Sequence, residues 1–122
     1  MRVMLLMYRD ERWWDAKPEA ERTAIREQAV EVSEALRKRG VFVSGDPLMP
    51  TYTGATVRIR DGKPVTTDGP FAETKEQLGG FLLIEARDLN EAIRIAGRVP
   101  GARLGSVEVR PVVDLGRERS AP

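Results

Sequence analysis

Two stretches of helical period, each set between short apolar runs and separated by a hairpin signal, leave this chain few folds to choose from. Val3 to Tyr8 is a brief apolar run that ends in charge, as a strand buried on both faces does. Pro18 then opens a helical pattern that closes at Gly40, with Glu19 and Glu21 in its first turn and Arg37, Lys38 and Arg39 in its last, the signs a helix dipole favours. Ile25, Ala29, Val32 and Leu36 recur at steps of four, three and four and form one apolar stripe that a sheet would cover. Val41 to Val43 is a second strand, halted by Gly45-Asp46-Pro47, and Ala55 to Arg60 alternates as a third. Asp61-Gly62 supplies a tight turn because both residues tolerate positive φ, and Pro64 to Thr67 returns antiparallel. Gly80 to Ala86 is the next strand. Asp88, with Glu91 three residues on, caps a second helix whose buried stripe is read as Leu89, Ala92, Ile93 and Ala96. Ser106 to Arg110 closes the series as an alternating strand.

The order β-α-β, inserted hairpin, β-α-β is the split βαβ arrangement of ferredoxin-like domains, an α+β fold with one antiparallel sheet and both helices on one of its faces. Strands apolar on both sides of the pleat, Val3 to Met7 and Phe81 to Ile84, then leave a second apolar sheet face to be covered. Two sheets packed face to face would bury it, so a homodimer is expected.

With 122 residues the chain has room for one domain, taken as 1–115, followed by a polar tail over 116–122. Lys and Arg total 20 against 19 Asp and Glu, so no excess of charge favours a nucleic-acid backbone or an anionic membrane as partner. The chain contains neither Cys nor His, which removes thiol nucleophiles, thiolate metal sites, imidazole ligands and the usual proton shuttle near neutral pH. No Walker sequence, dinucleotide fingerprint or serine-nucleophile elbow is present, and no cofactor is expected. The run Val3 to Met7 is too short for a membrane span or a secretory signal, which makes the cytoplasm the expected location.

Chemistry-bearing residues concentrate between Thr66 and Phe81. Asp68-Gly69-Pro70 reads first as a turn, with Asp accepting backbone N–H bonds, Gly taking the special dihedral and Pro fixing the exit. Its functional reading makes Asp68 a general base at a cavity mouth. Tyr8, at the end of the first strand, and Lys75, flanked by Glu73 and Glu76, are the accompanying catalytic candidates. Phe71, Glu73, Glu76, Arg58 and Arg110 are candidate ligand contacts, the arginines because guanidinium binds carboxylate in bidentate fashion. The plain alternatives are a core-edge tyrosine, a solvated ion cluster of little energetic worth, and solvent-facing strand arginines. Of Trp13 and Trp14, one is expected to lid a pocket or pack at the dimer contact. Gly79-Gly80 leads into a strand, so a bulge or close strand approach explains it better than a phosphate loop. Metal-dependent hydrolysis would have to rely on carboxylates such as Asp46, Asp68, Glu73 and Glu76, and no metal is expected.

The run Asp68-Gly69-Pro70-Phe71, followed by Glu73-Thr74-Lys75-Glu76-Gln77-Leu78-Gly79-Gly80-Phe81, resembles the signature of the DGPF group of YCII-related proteins. The similarity extends to Met4-Leu5-Leu6-Met7-Tyr8, Glu85-Ala86-Arg87-Asp88-Leu89 and Gly105 to Pro111. It implies a dimeric α+β barrel and a group of mostly uncharacterised bacterial proteins, some encoded near or joined to sigma factors. Relatives outside the group are credited with a catalytic dyad of a His on the first helix and an Asp after the second. Here those positions correspond to Ala29 and to Val99-Pro100, so His-dependent chemistry does not transfer. Two functions are consistent with the residues. One is a cofactor-free enzyme acting by proton transfer on a small carboxylate or enolisable compound, in a cavity bordered by Tyr8, Asp68, Phe71 and Lys75. The other is a non-catalytic binding or regulatory module, linked through the resemblance to a sigma-factor pathway.

Overall fold

The computed structural model describes residues 1–116, so all but the first residue of the expected 116–122 tail lies outside them. At its centre is β1 (Arg2–Arg9), which pairs antiparallel with β5 (Gln77–Glu85) on one side and with β6 (Ser106–Pro111) on the other. β2 (Phe42–Pro47) adds antiparallel to the outer edge of β5, giving the order β2-β5-β1-β6. This is the ferredoxin-like α+β arrangement, in which the two βαβ units interleave. The inserted hairpin, β3 (Ala55–Arg60) and β4 (Lys63–Asp68), forms a two-stranded sheet of its own. Its turn has positive φ at both Asp61 and Gly62, as a two-residue hairpin requires.

The strand period sorts the side chains of β1. Val3 and Leu5 point to one face, are fully buried, and meet Ile84 and Leu82 of β5 in register. Leu36 of α2 (Glu19–Lys38) and Ala92, Ile95 and Ala96 of α3 (Leu89–Ala96) close over them in a single core. Burial of such side chains contributes about 1.5–3 kcal/mol each. Met4 and Leu6 point the other way, opposite Leu83 and Phe81 of β5, and this second face is half-buried, with no helix of the described residues packed on it.

Several boundaries differ from expectation. The segment after β1, read as a plain connection, contains a short helix α1 (Glu11–Asp15), because the Asp10 carboxylate accepts a hydrogen bond from the Arg12 amide and caps it. β2 runs through Gly45-Asp46-Pro47 instead of stopping there. A side chain at Gly45 would come within 2.8 Å of the Phe81 carbonyl oxygen, so glycine permits the close pairing, and an edge strand tolerates Pro47. β5 starts at Gln77, three residues before the expected Gly80. A further helix, α4 (Pro100–Leu104), precedes β6. In α3 the buried stripe falls on Ala92, Ile95 and Ala96, while Leu89 and Ile93 are exposed; turning the helix to bury Ile95 carries Ile93 to the solvent side. Among the described residues no helix is long and apolar enough to cross a membrane.

The cap of α3 gives a pH-dependent expectation. The Asp88 carboxylate accepts from the Glu91 amide at 2.8 Å, and this backbone bond holds its pKa below the ordinary value, with Arg87 and Arg94 adding to the effect. A depressed folded-state pKa contributes stability that is present above the unfolded pKa, near 4, and lost as pH falls through the folded value. Asp88→Ala is therefore expected to lower the melting temperature at pH 7 and to converge on the wild type in melts taken across the acid range, as the folded-state carboxyl becomes protonated. A constant difference across that range would refute the assignment.

Candidate functional site

The apolar stripe of α2 does not pack flush on the sheet. Leu36 reaches the core, but Ile25, Ala29 and Arg26 instead roof a cavity of about 410 Å³ whose floor is the helix-side face of β1, β2 and β5. This explains why Ala29, although on the inward stripe, keeps accessible surface. The floor is shaped by glycine. Between Met7 and Tyr8 the β1–β5 register shifts by one residue, leaving Gly79 as the extra residue of a bulge. A Cβ on Gly79 would sit 3.3 Å from Nε of Arg9, and one on Gly80 would sit 3.2 Å from the Asp46 carbonyl oxygen. The paired glycines therefore make room for the Arg9 side chain and for the approach of β2.

Arg9 dominates the electrostatics. Its guanidinium carbon stacks 3.7 Å from the centroid of Trp14, an indole only 5% exposed, and Arg26 lies 5.5 Å from the same ring. Burial first, and then the charge of Arg26, pull Arg9 below the ordinary arginine pKa, with Asp15 and Glu11 opposing. Arginine remains cationic at any ordinary pH even so. Among the described residues neither Arg9 nor Arg26 is joined to a carboxylate by an ion pair or hydrogen bond. A third guanidinium, Arg37, also lines the cavity, 4.3 Å from the ring of Phe42. The remaining wall is largely apolar, with Asp46 as its single carboxylate-bearing residue.

The Trp14 wall is held in place from outside. The Glu11 carboxylate accepts from the Thr51 amide and hydroxyl at 2.6 and 2.8 Å, and the Glu11 amide donates to Oε1 of Gln77 at 2.9 Å. These bonds tie α1 to β5 and to the 3₁₀ turn Thr51–Thr53. Trp13, its neighbour, is 40% exposed and takes no part in the wall.

The structure separates the residues singled out from sequence. Tyr8 belongs to the cavity rim, but its hydroxyl donates to Glu108 at 3.3 Å on the opposite face of the sheet. Burial, and next the nearby Glu108 charge, raise its pKa, so it stays protonated. Asp68 ends β4 and is exposed, and of the four residues expected to border a cavity, Tyr8, Asp68, Phe71 and Lys75, only Tyr8 lines the one beneath α2. The turn beside Asp68 is held by the Gly69 amide donating to the Gly54 carbonyl and by the Thr56 hydroxyl donating to the Gly69 carbonyl, with φ of +86° at Gly69; the Asp68 carboxylate does not take part. Phe71 is 75% exposed, and its carbonyl accepts from Arg58. Glu73 and Lys75 are exposed, Glu76 accepts from the Ser106 hydroxyl, and Arg110 pairs with Glu108. No ion pair links Glu73, Lys75 and Glu76. Asp46, Asp68, Glu73 and Glu76 are not brought together, and no cluster among the described residues has the makings of a metal site.

Sequence reading overlooked Arg9, Arg26 and Arg37. The signal was present: Arg26, Val30, Ser33 and Arg37 form a second stripe, beside the apolar one, with a cation at each end. Ala29 and Val99-Pro100, the positions at which family resemblance places an acid–base dyad, both face this cavity, and here they carry no proton-transferring group.

Comparison with known proteins agrees with this reading of the fold. The family described as YCII-related domain matches residues 1–116. An uncharacterised protein of Rhizobium meliloti (strain 1021) is 49% identical over 67 residues, which cover 53% of this chain and 54% of that protein. The chain thus spans about half the length of the curated relative it matches.

Proposed function

We propose that this chain, which belongs to the YCII-related domain family, binds a small organic anion in the cavity between α2 and the sheet, as a homodimer joined through the open sheet faces. The observation that carries the reading is the placement of Arg9 and Arg26 on one buried indole, in a largely apolar cavity, with neither ion-paired to a carboxylate among the described residues. Two guanidiniums so placed repel one another, and a carboxylate between them relieves that repulsion while making charge-assisted hydrogen bonds. The cavity volume falls in the range of small-molecule sites. Proton transfer by Asp68, Tyr8 and Lys75 has less support, because Asp68 and Lys75 stand outside the cavity and the Tyr8 hydroxyl is engaged on the other face.

For the dimer, support comes from Met4, Leu6, Phe81 and Leu83, which form a half-buried apolar patch on the central strands, and from Val57 and Ile59, each 62% exposed on the projecting hairpin. A second sheet face and hairpin of the same kind would cover both.

The anion site is tested by calorimetry with a monocarboxylate and its primary amide. The acid is expected to bind at least tenfold more tightly than the amide, and Arg9→Gln to remove that preference. Equal binding of acid and amide, or an Arg9→Gln variant indistinguishable from wild type, would overturn the proposal.

A further inference from the structure

We infer that the ligand is an elongated organic diacid, with one acid group at each end of the cavity; this rests on the anion-binding reading above and specifies it. Residues of α2 from Ile25 to Arg37 line the cavity. Arg26 and Arg37 both line it, and the step of 11 positions from one to the other amounts to about 16 Å of helix. The sheet gives the same direction. Phe42 is in register with Ile84, which pairs with Val3 at the start of β1, whereas Arg9 is the last residue of that strand. The two cationic stations therefore stand at opposite ends of β1.

Their construction is alike. At one end Arg9 lies on Trp14, and at the other Arg37 lies on Phe42. Each ring holds a guanidinium at the wall of an apolar space, where its N–H groups keep the planar fork that matches a carboxylate. Arg37 is ion-paired with Glu34 at 2.9 Å through one N–H, both side chains being about half exposed, and it keeps further donors. Between the stations the wall is formed by Ala29, Val30, Leu82, Val99 and Leu104, none of which carries charge. Asp46 on the β2 side disfavours any additional acid group midway.

The experiment is calorimetric titration of the full chain with linear α,ω-dicarboxylates of about six to fourteen carbons, a range chosen to sample the ~16 Å between the stations, alongside monocarboxylates of equal length. Wild type is expected to show an optimum length at which the diacid binds roughly tenfold more tightly than the monoacid. Arg37→Gln is expected to bring diacid affinity down to that of the monoacid of equal length, and Arg9→Gln to weaken the binding of both. Monoacid binding that equals diacid binding at every length, or an Arg37→Gln variant that keeps the diacid preference, overturns the two-headed ligand and leaves the single-anion reading standing. If neither class binds wild type, both readings fall together.

Discussion

Leu5→Ala is expected to lower the unfolding free energy by about 3 kcal/mol, within the 2–5 kcal/mol that buried leucine truncations cost. Leu5 is fully buried at the middle of the central strand, facing Leu82 on one neighbour and Val109 on the other. Both flanking strands are fixed by their ladders, so the backbone cannot collapse into the vacated volume, and the cavity term adds to the lost transfer energy. Urea unfolding followed by circular dichroism measures it, provided that protein concentration is held constant, because association shifts apparent stability. A loss below about 1 kcal/mol would mean that this part of the sheet is not close-packed against the helices.

Leu6→Arg, one residue on, should have a different consequence. Leu6 faces away from the helices, between Phe81 and Glu108, in the patch assigned to the second copy. In a two-fold dimer the substitution sets two guanidiniums into the contact, and even with Glu108 beside each, taking the charges out of water costs several kcal/mol. Sedimentation velocity at micromolar concentration should then show wild type as a dimer and Leu6→Arg as a folded monomer with unchanged far-ultraviolet dichroism. A wild type that sediments as a monomer, or a variant that remains dimeric, would remove the face-to-face assembly.

The contrast between these neighbours shows what could be read from the sequence. Strand alternation, helix stripes and the Asp61-Gly62 turn are local signals, and they led to the ferredoxin-like order and to the placement of the hairpin. The capping aspartate at 88 was equally local. The cavity was not legible in the same way. It depends on a gap between α2 and the sheet, on a one-residue bulge at Gly79, and on the meeting of Arg9, Trp14 and Arg26 from three separate elements. Glu73, Lys75 and Glu76 are near neighbours in the chain. Contiguity in the chain says little about convergence in space, and these side chains lie outside the cavity. Neighbouring stripes on α2 carried the better clue, since Arg26 and Arg37 flank an inward-facing face at a fixed helical phase.

The glycine at 79 bears on the entropy of recognition. Because it offers no side chain, Arg9 lies across the strand backbone with the Trp14 ring on its other side, and the guanidinium is confined before any ligand arrives. A flexible arginine gives up roughly 1.5–2 kcal/mol of rotamer freedom when immobilised. In this chain folding has already exacted that cost, so the anion proposed as ligand would meet a preorganised donor and lose less of its binding energy to ordering the protein.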